Sequence, residues 1–311
     1  METENKGNAN EVNTCPLVSV LLASYRSGDF LFQAVDSELM QDYPHIELLV
    51  CDDGSEDFDM VAMKKRYENA KYPVRIFHQE RNVGTVKNLN YGLTRAKGEY
   101  VLLFAADDVL ASENVISQLV EAAMTEDSAW VLGKTMVCDE SLVPSGNLLP
   151  TELECGQIHN ALYENLCFHC FLPASGSLYE RSLLNHIGGL DETYRLVEDW
   201  PLLLKLAREG HVPKIVDTVA ILRRSGGVSN KNAAKNQVYQ RDLVGVMEHE
   251  ILAHLEVFSA ETQKRVQRHC ADKRAIYALR FEITGFFSKI AWCFQNVGVL
   301  LRKVVGHKEQ K

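Results

Sequence analysis

The sequence predicts an α/β fold: a mostly parallel central sheet flanked by helices, followed by a helical C-terminal extension. Three observations carry this. Short apolar runs alternate with helix-period segments from Leu17 to Val137, and strands alternating with helices at that spacing form βαβ units with parallel pairing. The runs are continuously apolar, as strands covered on both faces are. Beyond Ser229 the chain reads as helix to its end.

The elements follow in order. Residues 1–14 are polar and expected to be disordered. LVSVLLA (Leu17 to Ala23) reads as the first strand. Phe30 to Met40 places Phe30, Leu31, Ala34 and Leu39 at helical spacing. IELLVC (Ile46 to Cys51) is the second strand, Met60 to Asn69 a helix, and VRIFHQ (Val74 to Gln79) the third strand. Thr85 to Ala96 is a helix stopped by Lys97 and Gly98, a usual C-terminal signal. YVLLF (Tyr100 to Phe104) is a fourth strand, Glu113 to Met124 a helix, and WVLGKTMV (Trp130 to Val137) a fifth strand. Pro144, Ser145 and Gly146 mark a loop. Helices are then expected at about Arg181 to Ile187 and Asp199 to Glu209, with KIVDTVAILRR as a strand.

Composition narrows the function classes. The chain has 311 residues, 46% hydrophobic and 24% charged, enough for a large buried core. A net charge of −9 argues against nonspecific nucleic-acid binding. From Ala260 onward the chain is instead basic, which suits either an anionic surface or docking on an acidic body. Eight cysteines without regular spacing, and an opening stretch too polar for a secretory leader, lead us to expect a reduced, cytoplasmic setting. Cys167 and Cys170 form a lone CxxC, expected to be buried thiols beside Phe168 and Phe171 rather than a zinc or redox site.

In parallel sheets, ligands bind beyond the carboxyl ends of the strands, near the point where strand order reverses. Tyr25 lies just past the first strand, Asp52 and Asp53 past the second, Asp107 and Asp108 past the fourth. Each acidic pair alone reads equally well as an Asx turn or a helix cap. Two pairs on one rim suit an oxygen-loving dication such as Mg²⁺ or Mn²⁺, which neutralises carboxylates and a diphosphate together. No GxxxxGK[ST] loop occurs and no GxGxxG follows the first strand, which argues against kinases and ordinary dehydrogenases. Glu198 and Asp199 form a third pair before a helix, suited to capping or to proton abstraction.

Four ordered segments resemble family 2 glycosyltransferases of the GT-A (Rossmann-like) fold. They are PLVSVLLASYRSGDFLFQAVDSELMQDYPHIELLVCDDGSED, ERNVGTVKNLNYGLTRAKGEYVLLFAADD, GGLDETYRLVEDWPLLLKLAREG and LRRSGGVSN, together spanning about residues 16–230. The resemblance implies a 15–230 catalytic domain, with a nucleotide-sugar half over 15–110 and an acceptor half over 111–230, and a helical extension over 231–311. It implies that Tyr25 packs near the nucleotide base and Asp53 hydrogen-bonds it, with Asp52 supporting that loop. Asp107 would contact ribose or metal, and Asp108 would ligate the metal on the donor's diphosphate. Asp199 would be the general base and Glu198 would shape the acceptor side. The reaction implied is inverting transfer from a nucleotide-diphospho-sugar, UDP favoured, to a hydroxyl on a saccharide or lipid-linked saccharide, with Mn²⁺ or Mg²⁺ as cofactor. Cell-surface polysaccharide or glycolipid assembly is the expected setting. Three positions depart from the pattern. Ala105 replaces an aspartate, Ser225 stands near a usual histidine, and Ala23 replaces a threonine that would contact base or ribose. Ala105 and Ser225 keep open an alternative, a nucleotide-sugar-binding pseudoenzyme with a scaffold or regulatory role. A nucleotidyltransferase would want a Gly- and Arg-rich phosphate loop, which is not seen.

The tail from Phe281 to Leu301 carries only Glu282 and Lys289 as charges. It reads as an interfacial amphipathic helix that would hold the protein on the inner face of the cytoplasmic membrane through residues 281–308, as a helix packed on the domain or on a second copy, or as a span. Gln295 and Asn296 in its middle weigh against the span.

Overall fold

The computed structural model describes residues 15–225 and 233–309. The expected disordered start and residues 226–232, within the fourth segment of the resemblance, lie outside the described residues. One nine-stranded sheet organises the chain. Its strands are β1 (Val18–Ser24), β2 (Ile46–Asp52), β3 (Val74–His78), β4 (Tyr100–Ala105), β5 (Asp108–Leu110), β6 (Trp130–Cys138), β7 (Pro144–Leu149), β8 (Ser177–Glu180) and β9 (Lys214–Arg224). The order is β3-β2-β1-β4-β8-β6-β9-β5, with β7 on β6. The expected α/β architecture is present. β3, β2, β1 and β4 pair in parallel. Beyond β4 the sheet is mixed: β8 runs antiparallel to both β4 and β6, β9 parallel to β6, and β5 antiparallel to β9.

The apolar runs explain the core. Every residue of β2 and six of the seven in β1 are buried. Alternation splits them between two clusters on opposite faces. Val18, Val20 and Leu22 pack with α1 (Asp29–Leu39), α2 (Met60–Arg66) and α4 (Val115–Thr125). Leu21 packs with α3 (Thr85–Leu93) and with four later helices: α5 (Glu152–Leu166), α7 (Asp199–Arg208), α8 (Gln237–Val246) and α9 (Ala260–Tyr277). A short α6 (Arg181–His186) follows β8, and the chain ends in α10 (Phe286–Gln295) and α11 (Val297–Glu309).

Four elements were not expected from the sequence: β5, β7, β8 and α5. β5 is three residues long and opens on an aspartate, so it carries no run to detect. α5 contains Gly156 and a non-helical Ala161 that breaks its periodicity. Its start was nonetheless marked, because Thr151 and Glu154 cap each other reciprocally. The tail is not one long helix. Gly285 at φ +86° and Asn296 break it into two segments. No helix among the described residues is long and apolar enough to cross a membrane, which removes the spanning reading for them.

Candidate active site

Strand register brings the predicted residues to one rim. Ala23 of β1 stands level with Cys51 of β2 and Ala105 of β4, and Ser24 with Asp52. Strand order reverses between β1 and β4, so the loops after them diverge and leave a crevice at the switch point. Tyr25 opens the first loop, 43% exposed, with the Arg26 guanidinium 5.2 Å from its ring centroid. Ala23 is half-buried, and its carbonyl accepts from the Ala106 N–H at 3.0 Å.

Asp52 and Asp53 build the second loop. The Asp52 carboxylate accepts from the Ser55 N–H at 2.8 Å and hydroxyl at 2.6 Å, and lies 2.8 Å from His78 Nδ1. Asp53 turns the other way and accepts from the Val83 and Gly84 N–H groups at 2.6 and 2.9 Å. Gly54, at φ +71°, lets the two loops meet. A Cβ there would stand 2.5 Å from the Arg81 carbonyl carbon, a clash that no side-chain movement relieves. The two carboxylates therefore clip these two loops together, Asp52 within its own loop and Asp53 across to the loop before α3.

Asp107 lies in the tight turn between β4 and β5, and Asp108 opens β5. Asp107 is half-buried, and its carbonyl accepts from Arg224 Nη1 at 2.8 Å. Asp108 is 1% exposed, and antiparallel pairing sets it opposite Arg223, whose Nε lies 3.7 Å from Oδ2. Its other oxygen, Oδ1, is buried without a hydrogen-bond partner. Burial raises the Asp108 pKa to about 6, with Arg223 opposing and Asp107 adding to the rise. Residues 223 and 224 point to opposite faces of β9. Arg224 reaches Asp107, Gln33 and the Phe30 ring, whereas Arg223 faces the acids. Ser225, in place of the usual histidine, is held by its N–H on the Cys138 carbonyl at 3.0 Å.

The Glu198–Asp199 pair starts α7, yet neither side chain caps it in the usual way. Glu198 makes no cap hydrogen bond, and Asp199 Oδ1 accepts only from the next N–H, that of Trp200, at 2.7 Å. Both side chains keep some accessible surface but are crowded by protein. Burial is the main cause that raises both pKa values, Glu198 to about 8, while Arg223 opposes the rise in each. The charges of Asp199 and Asp107 push Glu198 up further. The Trp200 N–H donates to Asp199 and favours its ionised form. Burial and the charge of Asp199 therefore favour a proton on Glu198, while the Trp200 N–H favours the carboxylate of Asp199. Cys167 is fully buried, as expected. The Cys170 thiol donates to the Leu172 carbonyl at 3.8 Å, and burial together with the charges of Asp199 and Glu198 holds it protonated.

The profile of Glycosyl transferase family 2 matches residues 19–188, more than half of the chain. The chain belongs to that family. This family 2 glycosyltransferase is 34% identical over 125 residues to a glycosyltransferase, GlyG, of Streptococcus pneumoniae, a match spanning 40% of this chain and 41% of that relative. It is 25% identical over 220 residues to an uncharacterised glycosyltransferase of Nostoc, covering 70% of this chain and 67% of the relative. Among solved structures, S. aureus TarS 1–349 in complex with UDP-GlcNAc superposes with a TM-score of 0.57 at 18% identity, over 85% of this chain and 82% of that one. The mannosyltransferase PcManGT of Pyrobaculum calidifontis, in complex with GDP-Man and Mn²⁺, gives 0.59 at 14% identity, over 95% and 81%. Those likenesses establish the GT-A glycosyltransferase fold.

A divalent cation fits the residues present. Among the described residues no three His, Cys, Asp or Glu side chains converge on one point, so the glycosyltransferase has no self-sufficient metal cage there. A cation shared with a diphosphate needs only one or two carboxylates. The orphaned Oδ1 of Asp108 supplies an acceptor with no other occupation. Sequence reasoning missed Arg223, for which the doubled arginine ending β9 was the available signal.

Proposed function

We propose that this glycosyltransferase is a metal-dependent inverting enzyme that moves a sugar from a UDP-sugar to a hydroxyl of a saccharide or lipid-linked saccharide in cell-surface polymer or glycolipid assembly. One observation carries the reading. Two acid pairs, Asp107–Asp108 with Asp108 buried and Glu198–Asp199 half-buried, both lie within the field of Arg223, and neither pair is consumed by capping. Tyr25 offers a ring to the base, and Asp53 holds the loop against which the base packs. A dication on Asp107 and Asp108 would offset the charge that develops on the leaving diphosphate. Asp199 takes the proton of the acceptor hydroxyl as that oxygen attacks from the face opposite the leaving group, so the anomeric centre inverts and no protein nucleophile is needed. Glu198, protonated, borders the same cleft without competing for that proton.

The donor-bound states of TarS and PcManGT support a nucleotide-sugar donor in general; the uracil and the metal identity are our reading. Peripheral membrane contact is part of the proposal. Phe286, Phe287 and Phe294 of α10 are 73%, 83% and 78% exposed, with Lys289 on the same helix, which suits a helix lying in a lipid interface.

The test uses purified full chain with Mn²⁺ and a panel of UDP- and GDP-sugars, measuring free nucleoside diphosphate. We expect UDP-sugars to raise the thermal midpoint and turn over, and Asp108→Ala to abolish turnover with circular dichroism unchanged. Asp199→Asn is expected to keep donor binding and lose transfer by about 10²–10⁴-fold. Full activity in that variant would remove Asp199 as the base.

A further inference from the structure

Between the catalytic domain and the C-terminal helices lies a cavity of about 920 Å³. Its inner wall includes Cys170, Trp200 and Tyr239. Asp199 does not itself line the cavity but lies next to this wall: the Trp200 backbone N–H donates to it at 2.7 Å, and its charge acts on Cys170 and Tyr239. Met247, Ile276 and Tyr277 extend an apolar lining outward.

The opposite wall is basic. α9 and the irregular turn that follows it contribute Lys264, Arg268, Lys273 and Arg280, and α11 contributes Lys303. Two carboxylates border the cavity, Glu261 and Asp272. Asp272 is already committed to Arg302, whose Nε and Nη2 both lie 2.6 Å from its oxygens. Lys264, Arg268, Lys273 and Lys303 form no ion pair among the described residues. The cations therefore press on one another. Lys303 is exposed, yet partial desolvation and the charges of Arg280 and Lys273 lower its pKa. Lys273 also disfavours the charged forms of His169 and His269, and His269 Nε2 is buried without a partner. Like charges held together without counter-ions form a site that a multivalent anion stabilises. A single carboxylate would answer one cation; a phosphate ester can meet several.

We propose that this cavity is the acceptor site and that it selects a phosphate-bearing acceptor, with the phosphate held by Lys273, Arg280 and Lys303, the ring or apolar portion on Trp200 and Tyr239, and the accepting hydroxyl delivered to Asp199. The placement of the hydroxyl rests on the transferase reading above; the anion site does not. The phosphate can belong to a lipid-linked saccharide or to a soluble phosphorylated one, and the probes separate the two.

Titration calorimetry on the full chain would use octyl phosphate, octyl glucoside and glucose 6-phosphate. We expect octyl phosphate to bind at least tenfold tighter than octyl glucoside. The Lys273→Glu/Arg280→Glu double variant should erase that difference while its circular dichroism and its UDP–Mn²⁺ thermal shift stay unchanged. Lys273→Arg should retain it. Preference for octyl phosphate over glucose 6-phosphate indicates a lipid-linked source, and the reverse a soluble one; either supports the site. Equal binding of phosphate and neutral probes, or charge reversal without effect, overturns it. Loss of UDP binding by the wild type, with phosphate binding intact, would count against the transferase reading alone.

Discussion

The charge of Arg223 acts on both acid pairs. It opposes the rise in pKa of Asp108, Glu198 and Asp199, and so keeps the cleft able to hold carboxylates when no ligand is bound. Without it, Asp108 and Asp199 would take up protons more readily, as Glu198 already does. Arg223→Ala is therefore expected to move the acid limb of the pH profile of kcat/KM upward by about one unit or more. The sign follows from the raised acids. Removing the cation raises Asp108 above its value of about 6, so activity near neutral pH falls and returns as pH increases. An unmoved acid limb would refute this role. The aspartates themselves were legible, because each pair follows an apolar run and strand ends carry ligands in such sheets. Arg223 was not, because the β5–β9 pairing that sets it beside Asp108 joins residues far apart in the chain.

At the scale of the element, the apolar strands and the helices between them could be read directly. Their burial on both faces demands the pattern that was seen. Short elements such as β5 and β8 exist through their partners and leave no periodic trace. α1 carries a second surprise. Its Glu38 is fully buried with both oxygens unpartnered, and burial holds its pKa well above the ordinary carboxylate range. A carboxyl protonated in the fold and ionised in the unfolded chain gives stability that is full below its ordinary pKa of 4.5 and falls as pH rises. Glu38→Gln removes that titration. We expect it to stabilise the protein by about 1–3 kcal/mol at pH 7, with little effect at pH 4, in urea unfolding at both values. A variant no more stable at pH 7 would contradict the assignment.

Across the whole molecule, the C-terminal extension is coupled to the catalytic domain rather than appended to it. Asp242 of α8 accepts from the Arg195 and Leu196 N–H groups at 2.8 and 2.7 Å. Arg195 in turn reaches the Asn82 and Val83 carbonyls at 2.9 and 3.2 Å, behind the Asp53 clip. The extension thus supports the loop that enters Glu198 and Asp199. Among the described residues, α10, with its exposed phenylalanines, shows no such tie. Removing residues 285–311 should abolish co-sedimentation with vesicles containing anionic lipid. Sedimentation equal to the full chain would assign the exposed face to another contact.

Apolar period and strand-end chemistry depend on neighbours a few residues apart, so the sequence by itself determined the α/β class, the rim and its acid pairs. Which oxygen stays unpartnered, which acid keeps the proton, and the basic wall opposite Asp199 depend on side chains that approach only when the sheet closes and the last helices dock. Tertiary structure decided those, because burial and the summed field of distant charges have no local signature.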